Sequence, residues 1–82
     1  MKTKTYWVVE YTYEYMYKNG ITGEIEFMTD YGSGRFTCPK RDIEKEAIKR
    51  IKEEWAEDPS IMDVEDFKLT ITDCYETTEY EI

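Results

Sequence analysis

The chain has 82 residues, of which 37% are charged and 16% aromatic, and its formal net charge is −8. A chain of this length forms one small domain, predicted to span residues 1–82, and its aromatic side chains supply buried area that a disordered acidic chain lacks. The negative charge opposes direct binding to nucleic acid or to an anionic membrane, and it favours a basic partner.

The first residues contain only a short apolar run before Glu10, which predicts neither a signal peptide nor a membrane-spanning segment. Two cysteines, Cys38 and Cys74, lack Cys-x-x-Cys spacing, and the chain has no histidine. We therefore expect free thiols in a reducing, cytoplasmic setting. Because no metal-binding or nucleotide-binding motif is present and the usual general base is missing, we expect no metal, no cofactor and no enzymatic activity.

The stretch from Tyr6 to Tyr31 is predicted to form a β-hairpin around Asn19-Gly20, because apolar and polar residues alternate on both sides of it. A two-residue Asn-Gly turn would place Tyr13 opposite Glu26. A three-residue loop from Lys18 to Gly20, with Gly20 left-handed, would instead place Tyr13 opposite Ile25. We predict the three-residue loop, since it gathers the apolar side chains of both strands on one face.

The predicted register also gathers acidic side chains on the opposite face of the hairpin. It sets Glu14 directly against Glu24, at a cost of ~0.2–1 kcal/mol. The predicted partner-binding surface consists of Glu10, Glu14, Glu24, Glu26 and Asp30. Its alternative interpretation is a solvated face that only keeps a small protein soluble. The segregation of the acids and the unfavourable Glu14–Glu24 pair favour the binding surface.

Two further residues are predicted to contact the partner. Tyr15 and Tyr17 lie near the hairpin tip, where they are expected to extend beyond the helix and remain exposed. Exposed tyrosines are frequent anchors of protein–protein interfaces.

The remainder of the chain predicts one helix and one strand. A helix from about Pro39 or Asp42 to Glu57 carries an apolar stripe and is ended by Pro59. A third strand is predicted from about 66 to 75. The alternation of polar and apolar residues does not decide whether the tail extends this strand. The order β-β-α-β predicts an α+β fold, a single ββαβ domain in which a three-stranded antiparallel sheet of order 2-1-3 has one helix packed on one face.

In size, acidity and short β-β-α-β plan, the chain resembles small phage-encoded inhibitor proteins of the anti-CRISPR and DNA-mimic type. The resemblance is one of class and transfers no individual residue. It implies a non-catalytic inhibitor that occupies the nucleic-acid site of a basic nucleic-acid-binding protein, such as a CRISPR effector or another defence nuclease. The alternative is a structural or regulatory interaction module, either a monomer or a homodimer that pairs through exposed strand edges.

Overall fold

The computed structural model describes residues 2–81 as three strands and one helix. Strand β1 spans Lys2–Asn19, β2 spans Ile25–Phe36, a short 3-10 turn spans Lys40–Asp42, helix α1 spans Ile43–Glu57 and β3 spans Ile61–Glu81. The strands form one antiparallel sheet of order β2-β1-β3. The predicted α+β fold and strand order are therefore confirmed. Within residues 2–81, no helix combines the length and the apolar character required to cross a bilayer.

The core lies between α1 and the face of the sheet formed by the odd-numbered residues of β1. Val9 and four tyrosines at alternate positions are buried there, as the period of two in this strand predicts. Helix α1 covers them with Ile43, Ala47 and Ile51, which recur every fourth residue. The other core members are Tyr11, Tyr13, Tyr15, Tyr17 and Phe36.

The predicted pairing of β1 with β2 is wrong by five residues. Tyr17 lies opposite Glu26 instead of Ile21, and Tyr13 lies opposite Asp30. Because the displacement is an odd number, every side chain of β2 changes face. Ile25 and Phe27, predicted to lie in the core, are 65% and 61% exposed on the open face of the sheet.

The loop that connects the two strands explains part of the difference. Asn19 accepts hydrogen bonds at its side-chain oxygen from the backbone N–H groups of Ile21 (2.8 Å) and Thr22 (3.1 Å). Gly23, at φ 77°, provides the left-handed residue that was predicted at Gly20. Gly20 is required for a different reason: a Cβ atom there would lie 2.3 Å from the carbonyl oxygen of Pro59. The loop is therefore longer than the predicted three residues.

The new register also uses the two glycines of β2, Gly32 and Gly34. Gly32 lies opposite Tyr11, and the phenol ring packs over the backbone where a side chain would otherwise project. Gly34 leaves room for Arg50, whose guanidinium lies 3.8 Å from the Phe36 ring centroid and donates to the Arg35 carbonyl oxygen at 2.9 Å. Phe36 itself is fully buried.

Strand β3 is longer and less regular than predicted. Its pairing with β1 shifts at three places, and Asp63 and Asp66 lie within two of them with φ of 50° and 54°. Aspartate tolerates this left-handed conformation better than most residues. The third shift, between Ile71 and Asp73, moves the later side chains of β3 to the opposite face, so Cys74 packs against the core. Both cysteines are free thiols, as predicted.

We expect the Gly32→Ala substitution to destabilise the protein by about 1–3 kcal/mol, because the added methyl group would lie 2.7 Å from atoms of the Tyr11 ring. Glycine is otherwise a weak strand residue, so without this contact alanine would be favourable. Urea unfolding measures the difference. Ser33→Ala, at the exposed neighbouring position, is the matched control and should stay within about 0.5 kcal/mol. Equal urea midpoints for the two variants would contradict the packing of Tyr11 on Gly32.

Candidate functional site

The structure divides the predicted acidic surface among three places. Glu10 and Glu14 lie on the open face of the sheet, and Glu24 lies in the loop before β2. Glu26 and Asp30 lie on the helix side, beside the tyrosines. Glu14 faces Thr29 and not Glu24, so the predicted like-charge pair does not form. The prediction of one acidic face is wrong because it relied on the wrong register.

Two carboxylates of the open face have a cation beside them, whereas Glu10 of the same face lies opposite Asp73. Glu14 lies 4.0 Å from the ammonium of Lys68, and Arg35 lies 3.6 Å from a carboxylate oxygen of Glu79. Both pairs are solvent-exposed, where ion pairs contribute about 0–1 kcal/mol to stability. Their main effect is on the surface potential, because each cation compensates a neighbouring carboxylate.

The predicted exposure of Tyr15 and Tyr17 is also wrong, since these residues are only 4% and 8% exposed. Their rings belong to a row of neighbouring aromatics along β1, with centroids 5.6 Å apart between Tyr15 and Tyr17 and 5.9 Å apart between Tyr13 and Tyr15. Trp55 of α1 packs on this row, with its ring centroid 4.7 Å from that of Tyr15. A buried phenol ring still needs a partner for its hydroxyl group.

Carboxylates of β2 accept the hydrogen bonds of two tyrosines in this row. Tyr17 donates to Glu26 at 2.5 Å, and Tyr13 is 3.5 Å from Asp30. Asn19 adds a weaker contact to Glu26 at 3.5 Å. A rule that pairs apolar residues only with apolar ones rejects a tyrosine opposite an acid. In this structure such pairs form hydrogen bonds between the strands.

The helix supplies further carboxylates to the same region. Trp55 packs on Tyr15, so the end of α1 lies over the tyrosine row, and Glu54 and Asp58 are on either side of Trp55 in the sequence. Burial is the main cause that raises the pKa of Tyr11, Tyr13 and Tyr15, and Glu54 adds to each shift. The carboxylates of β2 and of the end of α1 thus border the same row of tyrosines and form one seam with it. We call it the tyrosine–carboxylate seam, and its residues are Tyr13, Tyr15, Tyr17, Glu26, Asp30, Glu54 and Asp58.

The seam keeps its phenol groups protonated. Burial raises the pKa of Tyr13 strongly, and Asp30 adds to the shift. The hydrogen bond to Glu26 raises the pKa of Tyr17 to about 12. A tyrosine is a hydrogen-bond donor near neutral pH even without this shift, and the raised pKa extends the protonated state to higher pH. The outward oxygen lone pairs of those carboxylates are suited to guanidinium or ammonium groups of a partner.

Two members of the seam, Glu54 and Asp58, were missing from the predicted site. The sequence does carry a signal for them, because residues 53–82 contain 11 acids and one basic residue, Lys68. What the sequence does not show is that the end of α1 lies over Tyr15, in the same row of tyrosines that contacts Glu26 and Asp30.

Among residues 2–81, no group of three or more histidine, cysteine, aspartate or glutamate side chains is arranged to hold a metal ion. A scan of protein-family models and searches of curated proteins and of solved structures gave no match to this chain.

We expect the Glu26→Gln substitution to lower the pKa of Tyr17 from about 12 toward its ordinary value near 10, because the amide removes the charged acceptor that favours the protonated phenol. Ring carbon chemical shifts measured against pH report this pKa. Because the folded-state pKa lies above the unfolded one, the contribution of this group to stability is complete below about pH 10. It is lost as the pH rises through 12. An unchanged Tyr17 titration would show that Glu26 does not hold the phenol in solution.

Proposed function

We propose that this protein is a non-catalytic inhibitor that binds a basic nucleic-acid-binding protein through its tyrosine–carboxylate seam and occupies part of the site used by nucleic acid. The observation that supports the proposal is the seam itself. It combines Glu26 and Asp30 of β2 with Glu54 of α1 and with Asp58, which follows α1, and tyrosine hydroxyl groups contact the β2 pair.

Preorganisation makes this arrangement suited to binding. A carboxylate that is already hydrogen-bonded to a buried tyrosine loses little side-chain freedom when a partner cation docks on it. A neutral phenol donor also leaves the negative charge of the acid uncompensated, unlike a lysine. Complementary charge raises the association rate and makes it depend on salt.

The amount of charge limits how far the protein imitates a nucleic acid. The molecule is elongated, with extents of 55 × 22 × 16 Å, and its width is similar to that of a DNA duplex. A duplex 55 Å long carries roughly 30 phosphate charges, at one per ~1.7 Å, whereas this chain has a net charge of −8. We therefore propose local competition at one cluster of Arg and Lys side chains, not replacement of a whole duplex.

The proposed target is a CRISPR effector or another defence nuclease, since the chain resembles phage-encoded inhibitors in size, acidity and β-β-α-β plan. Such effectors hold nucleic acid in a positively charged channel. A seam of carboxylates fits the Arg and Lys side chains of that channel.

The alternative, a homodimer that pairs through strand edges, is opposed by features of both edges. On β2, the side chain of Asp30 accepts from the N–H of Tyr31 at 2.8 Å, and Arg50 donates to the carbonyl of Arg35. On β3, the irregularities at Asp63 and Asp66 interrupt the ladder. Capped groups and bulges are common devices against edge pairing.

The proposal is tested with purified RNA-guided nucleases of the Cas9 and Cas12 types, by measuring inhibition of target cleavage and the affinity of the complex at several salt concentrations. We expect inhibition at a stoichiometric ratio and an affinity that falls as salt rises. We expect the double variant Asp30→Asn/Glu54→Gln to bind at least about tenfold more weakly, equal to ~1.4 kcal/mol.

The open face provides a matched control. The double variant Glu10→Gln/Glu14→Gln removes the same two charges from the other side of the sheet, and we expect it to retain most of the affinity. A loss confined to the open-face variant would place the site on the originally predicted surface. Inhibition that neither double variant changes would rule out the seam as the binding surface.

A further inference from the structure

The open face of the sheet carries a group of exposed apolar side chains at the hairpin end of the molecule. Ile25 and Phe27 are 65% and 61% exposed, Met62 is 47% exposed, and Met16 on the central strand is half-buried. We call Met16, Ile25, Phe27 and Met62 the tip patch. Contiguous exposed apolar patches of this kind commonly mark interaction sites on small proteins.

Strand pairing brings the members of the tip patch together. In one rung across the sheet, Lys18 lies between Ile25 and Met62. Two residues back along β1, on the same face, Met16 lies between Phe27 and Glu65. Met16, Ile25 and Phe27 are thus neighbours on β1 and β2, and Met62 of β3 lies on the other side of Lys18, with its side chain beside Gly20.

The fold leaves the tip patch without a cover. Helix α1 lies on the opposite face of the sheet, and its 15 residues extend about 22 Å along a molecule 55 Å long. The displaced register of β2 turned Ile25 and Phe27 away from that helix. Ile25 and Phe27 are therefore exposed to solvent and add no buried area to the core.

The surroundings of the tip patch are mainly acidic. A depression of about 190 Å³ beside Met16 and Ile25 is bordered by Asp63, Glu65 and Lys18. Glu24 is exposed at the start of the same end of β2. Three acids and one lysine select a partner surface that is apolar in the centre and basic at its border.

We propose that the tip patch is a second contact with the protein partner, in which Phe27 and Ile25 insert into an apolar pocket bordered by Lys or Arg side chains. This inference rests on the proposed function, because it assigns both surfaces to one basic partner. A second copy of the chain is a poorer occupant, since two tip patches placed face to face would bring the acids Glu24, Asp63 and Glu65 of both copies together.

The two contacts make different contributions to binding. The seam acts through charge, so it sets the association rate and the salt dependence. The tip patch acts through buried apolar area, so it slows dissociation and is insensitive to salt. Aromatic side chains in pockets are frequent centres of binding energy.

The test uses three synthetic peptides of equal length as probes: alternating leucine and arginine, alternating serine and arginine, and alternating leucine and serine. Methyl NMR of Met16, Ile25 and Met62 reports on the tip patch during each titration. We expect the leucine–arginine peptide to shift these methyl signals and to bind at least about tenfold more tightly than either other peptide. The difference in affinity between the leucine–arginine peptide and the serine–arginine peptide should persist at high salt.

Variants identify the surface. The double variant Ile25→Ser/Phe27→Ser should abolish the advantage of the leucine–arginine peptide, and because both side chains are exposed it should remain folded. Tyr31→Ser is the matched control, since Tyr31 is 80% exposed on the same face of the same strand. It should leave the advantage unchanged.

Three results would overturn the inference: equal affinities for both arginine peptides, equally tight binding of the uncharged leucine–serine peptide, or methyl shifts that depend on protein concentration alone. The last result would assign the patch to a second copy. The Asp30→Asn/Glu54→Gln variant separates this inference from the proposed function, because it should weaken both arginine peptides equally. If it weakens neither while the tip variant still acts, the seam fails and the tip patch stands.

Discussion

The register of β1 with β2 is the constraint on which the rest of the structure depends. In this register tyrosines lie opposite acids: Tyr17 donates to Glu26, and the Tyr13 hydroxyl lies 3.5 Å from Asp30. That register places Gly32 under the Tyr11 ring and carries Phe36 into the core opposite Trp7. The same displacement turns the apolar residues at the start of β2 out to solvent. One register thereby determines both the core and the exposed surfaces.

Prediction from sequence succeeded where a single side of an element is buried. The helix and its buried stripe, the odd-numbered core face of β1 and the strand order 2-1-3 all follow from periodicity and from the connection between elements. The hairpin register failed because the polarity rule treated tyrosine as a purely apolar residue. A phenol has an apolar ring and a polar end, so Tyr13 can lie in the core while its hydroxyl group bonds to Asp30 at the edge of the core.

Strand β3 shows a second limit of periodicity. Each irregularity adds a residue to the strand, and the facing of all later side chains is then changed. Asp63 and Asp66 adopt positive φ without the glycine that usually signals this conformation. Part of the candidate site was missed for another reason: Glu26 and Asp30 were identified as binding residues, but that the end of α1 lies over the same row of tyrosines required the tertiary packing of Trp55 on Tyr15.

The nature of the hydrogen-bond donor decides how an acidic residue contributes to the surface. On the open face, Glu14 lies beside Lys68, and the cation compensates much of the field that the carboxylate would exert on a partner. In the seam, Tyr17 holds Glu26 through a neutral hydroxyl group, so the acid is positioned while its charge remains available. Buried tyrosines therefore do two things in this small domain. Their rings supply apolar area to the core, and their hydroxyl groups position negative charge at its border.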